Sequence, residues 1–124
     1  MTAIGRITVF ALDCPEPSTL AEFYSAITGW PLDDEHTDSD WLQLKSDGGA
    51  SLAFQQVADY SPPQWPGQAH PQQAHLDFEV ADLDVAEAQL LAIGARKHAE
   101  QPGESFRVYL DPAGHPFCLV RAHS

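Results

Sequence analysis

Polar and apolar positions alternate most regularly at residues 73 to 80, where Gln73, His75, Asp77 and Glu79 are interleaved with Ala74, Leu76, Phe78 and Val80. A period of two predicts a β-strand with one polar and one apolar face. Over residues 17 to 28 the period changes. Leu20, Phe23, Tyr24 and Ile27 stand at i, i+3, i+4 and i+7, Pro17 suits the first helical turn, and Gly29 suits the position beyond the last. This predicts an amphipathic helix. A second helix is predicted from Asp82 as N-cap, through a stripe of Leu83, Ala86, Leu90 and Ile93, to Gly94.

Each helix follows an extended apolar stretch and precedes three shorter ones. Ile7 to Leu12 leads into the first helix, and the extended stretches 30–36, 41–45 and 51–57 follow it, divided by Asp38-Ser39-Asp40 and Asp47-Gly48-Gly49. Stretches 95–100, 105–110 and 116–121 follow the second helix, divided by Gln101-Pro102-Gly103 and Asp111-Pro112-Ala113-Gly114. Both halves therefore read strand, helix, strand, strand, strand. Superposing Glu16 on Asp82, an offset of 66 residues, places Val9 opposite His75. We expect an α+β chain of 124 residues forming one domain: module one at 1–57, a connector at 58–72, and module two at 73–124. The connector carries Pro62, Pro63, Pro66, Gly67 and Pro71 with Tyr60 and Trp65. A lone half cannot cover its own sheet, so the halves are expected to pack as one unit or to exchange with a second chain.

Composition narrows the partners. Six Lys plus Arg against 18 Asp plus Glu give a formal charge of −12, which repels phosphate backbones and anionic membrane surfaces, so neither nucleic acid nor a membrane is expected as partner. No apolar run approaches the roughly 20 residues of a membrane span, and Met1 to Arg6 does not resemble a signal peptide. The expected location is the cytoplasm. Cys14 and Cys118 are far apart and form no CxxC arrangement, so they are expected to be reduced and partly buried.

The segments Leu12-Asp13-Cys14-Pro15-Glu16-Pro17, Leu20-Ala21-Glu22-Phe23-Tyr24, Gly29-Trp30, His75-Leu76-Asp77, Gly94-Ala95 and Asp111-Pro112-Ala113-Gly114-His115-Pro116-Phe117 span both halves. In this order and spacing the chain resembles the vicinal oxygen chelate superfamily, which includes glyoxalase I, extradiol dioxygenases, fosfomycin-inactivating enzymes and bleomycin resistance proteins, and within it the glyoxalase-like domain group. The resemblance implies paired βαβββ modules forming an open barrel-like mixed sheet with helices outside, a concave cleft, and commonly a homodimer. Enzymes of the superfamily place metal ligands on the first and last strand of each module. Carried over, these positions fall on Val9 and His75 and, aligned through Gly49 and Gly114 with an offset of 65, on Ala53 and Cys118. His75 alone carries the customary chemistry, with Asp77 and Gln55 as nearby substitutes. His36, His70 and His123 fall at a strand end, in the connector and in the tail, and His98 on a strand not expected to ligate. His115 is expected to serve its turn.

If His75 faces the cleft, alternation sends Gln73, Asp77 and Glu79 the same way. The same rule points Ile7, Val9, Ala11, Trp41, Gln43, Ala53, Gln55, Arg107, Tyr109 and Cys118 inward, with Trp65 and Tyr60 at the mouth. The expected ligand-binding set is Val9, Trp41, Gln43, Gln55, Trp65, His75, Asp77, Arg107, Tyr109 and Cys118. This wall suits a small molecule, aromatic or cationic, held as bleomycin resistance proteins hold theirs and without a catalytic metal or other cofactor. The alternative is a lyase, isomerase or dioxygenase that uses His75 as ligand to a divalent metal or as a general base oriented by Asp77. A module acting through protein contacts is a third possibility.

Overall fold

The computed structural model describes residues 2 to 122, and His123 lies outside them. The chain divides into two compact units, Met1–Tyr60 and Ser61–Ser124, so most of the proline-rich connector belongs to the second.

The first unit holds β1 (Val9–Cys14), α1 (Pro17–Thr28), β2 (Trp41–Gln43) and β3 (Ser51–Gln56). Pro17 opens α1, and Gly29 closes it at φ 76°, where glycine has no steric penalty, donating its N–H to Ser25 O at 2.8 Å. The sheet order is β1-β3-β2, with β1 parallel and β2 antiparallel to β3. Leu20, Phe23 and Tyr24 of the predicted helix stripe are buried, and Tyr24 stacks on Phe54 of β3 with ring centroids 5.6 Å apart. Burying such a side chain stabilises by about 1.5–3 kcal/mol. Pairing register puts Phe10, Leu12, Leu42, Leu52 and Phe54 on this helix-covered face. The expected strand at 30–36 is instead a single bridge, Leu32 to Leu44, followed by a 3-10 turn at Asp34–His36. The Asp33 side chain accepts from Glu35 N at 3.2 Å and contacts His36 Nδ1 at 2.9 Å, and such local bonding competes with a strand ladder.

The second unit holds β4 (Leu76–Val80), α2 (Leu83–Ala92), β5 (Arg96–Lys97), β6 (Phe106–Leu110) and β7 (Pro116–Arg121). Asp82 caps α2 by accepting from Val85 N at 3.0 Å, and Gly94 follows its end at φ 108°. The sheet order is β4-β7-β6-β5, with β4 parallel to β7 and the other pairs antiparallel. Phe117 packs edge-on against Phe78, centroids 6.0 Å apart, and tilted against Tyr109 at 5.8 Å. The turn between β6 and β7 is built on a fully buried carboxylate. Asp111 Oδ1 accepts from Ala113 N at 2.8 Å and His115 N at 3.0 Å, while Oδ2 meets His115 Nδ1 at 2.8 Å. His115 thus does serve its turn.

The strands of the two units repeat not only in order but in register. Ala11 pairs with Ala53 as Asp77 pairs with Cys118, and Gln43 pairs with Ala53 as Val108 pairs with Cys118. These equivalences reproduce the 66- and 65-residue offsets of the sequence. The result is an α+β fold of two such modules. Among the described residues the strands form two sheets, of three and four strands, not closed into a barrel. No helix among them is long and apolar enough to cross a membrane.

Candidate functional site

Cys118 lies on β7 between Asp77 of β4 and Val108 of β6. Directly paired residues project to the same face, and alternation adds Phe106 on β6. This is the face turned away from α2, since Phe78, Phe117, Tyr109 and Arg107 occupy the other. His75, just before β4, brings Nε2 to 3.2 Å from Asp77 Oδ1. One donor atom each from His75, Asp77 and Cys118 lie within 4.8 Å of one another.

Cys118 is buried, whereas His75 and Asp77 are exposed. Burial, and then the charge and hydrogen bonding of Asp77, push the Cys118 thiol up to about 11. At neutral pH it is therefore a protonated S–H group that donates to the Asp77 carboxylate, not a nucleophilic thiolate.

Beside this trio lies a cavity of about 230 Å³ walled by Trp65, Pro102, Phe106, Val108, Pro116 and Phe117, with Gln72, His75 and Cys118 as its polar lining. Trp65 is fixed edge-on against His98, ring centroids 5.1 Å apart. Gln72 Oε1 is buried and has no hydrogen-bond partner. A larger hollow of about 470 Å³ lies in the first unit between α1 and Leu32, Leu42 and Leu44, but it holds none of the expected site residues. A cavity with convergent polar groups is the better ligand site.

Of the expected residues, the structure brings together Trp65, His75 and Cys118 in the cavity, with Asp77 bonded beside them. Val9, Trp41, Gln43 and Gln55 belong to the first unit and share the sheet face away from α1, where Trp41 Nε1 donates to Gln43 Oε1 at 3.0 Å. Arg107 and Tyr109 do not point with Cys118. The register that opposes Val108 to Cys118 turns them toward α2. There Arg107 Nη2 meets Asp84 Oδ1 at 2.8 Å, and Tyr109 OH donates to Glu87 Oε1 at 2.8 Å. Lys97 Nζ and Arg107 Nη1 also reach Glu87, at 3.1 and 3.4 Å. Burial alone would raise the Glu87 carboxyl, but hydrogen bonds from Tyr109 and Lys97 and the charges of Lys97 and Arg107 outweigh it and hold the group below its usual range. Burial, then Glu87, raises the Tyr109 phenol.

Gln72, Phe106, Val108 and the prolines at 102 and 116 were not among the expected residues. The signal for two of them is present in the sequence. The 65-residue offset that aligns Ala53 with Cys118, applied to Trp41 and Gln43, lands on Phe106 and Val108.

The sequence matches the glyoxalase-like domain model over residues 9–120, nearly the whole chain. The chain belongs to the glyoxalase-like domain family. This glyoxalase-like domain is thereby a member of the vicinal oxygen chelate superfamily, and its solved structural neighbours agree. A glyoxalase/bleomycin resistance protein/dioxygenase family enzyme from Burkholderia phytofirmans PsJN matches with a TM-score of 0.74 at 14% identity, covering 96% of this chain and 100% of that one. A glyoxalase-related enzyme from Fulvimarina pelagi matches at 0.68 and 19%, covering 96% and 89%. TnmS3, an antibiotic binding protein from Streptomyces sp. CB03234, matches at 0.63 and 20%, covering 99% and 100%. At these identities the likeness is one of fold. No curated protein matches the sequence of this glyoxalase-like domain.

Proposed function

We propose that this domain binds a small aromatic or cationic molecule in the cavity of its second unit and does so without a catalytic metal. The observation that carries the reading is an aromatic and aliphatic cavity that ends at the His75, Asp77 and Cys118 trio. Trp65 and Phe106 offer ring surfaces for stacking, and the Asp77 carboxylate of the trio favours positive charge. The resemblance in fold to an antibiotic binding protein supports the same reading.

The superfamily's enzymes hold a divalent ion through donors at four positions, and the residues here do not match that set. Val9 and Ala53 carry no donor, and the remaining pair is one cysteine and one histidine. Hard divalent ions prefer several oxygen ligands, whereas His75, Asp77 and Cys118 supply one carboxylate among mixed donors. Asp77 adds one carboxylate, already engaged by His75 and Cys118.

The test is a thermal-shift and calorimetric titration with a panel of one- and two-ring aromatic and cationic compounds. A ligand at about 100 times its Kd adds about 2.7 kcal/mol of stability, a rise of about 10 °C in Tm. Val108→Trp, which fills the cavity, should abolish the rise. If no member of the panel stabilises the wild-type protein, the reading fails.

A second reading, His75 as a general base, rests on its contact with Asp77 at 3.2 Å, which would orient the imidazole. It requires that His75→Ala abolish a measurable turnover while leaving ligand affinity within a few fold.

A further inference from the structure

One place in the fold occurs twice, and long polar side chains fill only one of the two copies. In the second unit the space between α2 and strands β5 and β6 is occupied by Asp84, Glu87, Lys97, Arg107 and Tyr109, joined by contacts of 2.8 to 3.4 Å. Their counterparts in the first unit follow from strand pairing. Leu32 pairs with Leu44 as Lys97 pairs with Tyr109, and Leu42 pairs with Phe54 as Arg107 pairs with Leu119. The three leucines therefore stand where Lys97, Arg107 and Tyr109 stand. Glu16 and Asp82 hold the N-cap positions of the two helices, which sets Ser18 and Ala21 against Asp84 and Glu87. Every member of the network thus has a shorter, uncharged counterpart, and all of these counterparts line the hollow of about 470 Å³.

What lines that hollow is mostly apolar and reachable. Leu44 is buried, Leu42 half-buried and Leu32 exposed, so the hollow runs from the edge of the core to solvent. On α1, Ser18, Ala21, Glu22, Ser25 and Ala26 recur at i, i+3, i+4, i+7 and i+8, a face of short side chains interrupted by Glu22. Ser25 Oγ is engaged, donating to Trp30 O at 2.6 Å. Glu22 is exposed, is the one charged residue of the lining, and makes no ion pair or hydrogen bond among the described residues. The volume equals that of about sixteen water molecules at roughly 30 Å³ each, room for a compact aliphatic body. The formal charge of −12 opposes an anion there.

We propose that this hollow is a second ligand site, distinct from the cavity of the second unit, and that it takes a compact aliphatic amine whose apolar body packs on Leu32, Leu42 and Leu44 while its ammonium meets Glu22. In the second unit Lys97 and Arg107 carry positive charge to the carboxylates of α2. In the first unit the ligand carries it to the carboxylate of α1, and its body removes leucine surface from water.

The experiment titrates the full chain with adamantylamine, adamantanol and adamantanecarboxylate, which share one rigid cage and differ in the charge of the head. Backbone amide NMR shifts locate each probe and give its affinity. The amine should shift the amides of Ala21, Ser25, Leu42 and Leu44, and should bind about 1.5- to 5-fold more tightly than the alcohol, the range for an exposed ion pair, with the carboxylate weakest. Glu22→Gln should bring amine and alcohol level. Ser18→Asp together with Leu42→Arg, which copies the Asp84 and Arg107 pair into the hollow, should abolish these shifts. No shift at these four amides, or shifts confined to Trp65, His75 and Cys118, overturns the second site and leaves the binding role of the other cavity standing. Equal affinities of the three probes in the wild type overturn the part played by Glu22 and with it the amine class. Binding unchanged in the double variant overturns the placement. The wild-type shifts decide the matter even if the double variant fails to fold.

Discussion

Replacing Asp111 with alanine should be among the most damaging single changes on the polar side of this fold. The carboxylate is fully buried and accepts from two backbone N–H groups, at 2.8 and 3.0 Å, and meets His115 Nδ1 at 2.8 Å. Each hydrogen bond to a charged group is worth about 1.5–3 kcal/mol, but removing the side chain also relieves the desolvation of the carboxylate itself. Removing one partner from a buried polar pair costs about 3–5 kcal/mol in comparable cases. An unfolding entropy of about 2.1 cal/mol/K per residue over 124 residues converts each kcal/mol into about 4 °C. Asp111→Ala should therefore lower Tm by about 12–20 °C, and His115→Ala, which removes the side-chain contact to Oδ2 and leaves the two backbone bonds, by about 4–8 °C. Differential scanning calorimetry of both variants and of the double variant completes the cycle. The double variant should lose less than the sum of the singles, by about 1 kcal/mol or more, because the groups share one network. A loss below about 4 °C for Asp111→Ala, or strict additivity, would refute the account of the turn as a carboxylate-centred unit.

Three further outcomes follow from the ionisable groups. Because the Glu87 carboxyl is held below its ordinary 4.5, its stabilising contribution is present above pH 4.5 and is lost as pH falls through the lowered value. Glu87→Gln should lower stability at pH 7 and flatten the acid limb of a urea-denaturation series taken between about pH 7 and pH 3. The Cys118 thiol, moved from 9.0 to about 11, should alkylate with iodoacetamide roughly 100-fold more slowly at neutral pH than an ordinary cysteine, even before its burial is counted, as mass spectrometry would read. Since the protonated thiol is the favoured form, its contribution to stability is intact below pH 9 and falls away as pH rises from 9 through about 11, an alkaline limb that Cys118→Ala should reduce.

The helices were the most legible elements, because their ends carry chemistry that acts locally: Pro17 and Gly29 for the first, Asp82 and Gly94 for the second. The repeat was legible for a different reason, since equal spacing in sequence became equal register in two sheets. Strand extent was less so. The alternation at 73–80 overshoots β4, which begins at Leu76, and Asp33 converts the expected strand at 30–36 into a capped turn. The facing of β6 was the consequential misreading. Phe106, Arg107, Val108, Tyr109 and Leu110 have no polar-apolar phase of their own strong enough to declare which residues face the helix, and only pairing with β7 decides it. Asp84 and Glu87, on one side of α2, are the partners that draw Arg107 and Tyr109 that way. Gln72 was invisible from sequence because an unpaired acceptor is a property of the packed chain rather than of any local pattern.

The alternation along β6 has a consequence for how such a domain changes over generations. Arg107 and Tyr109 tie the strand to α2, while Phe106 and Val108, their immediate neighbours, shape the cavity. Attachment of the helix and the shape of the cavity are thus written on interleaved letters of the same short word. A laboratory library confined to positions 106 and 108 would vary the cavity wall while leaving the side-chain contacts of Arg107 and Tyr109 to α2 in place.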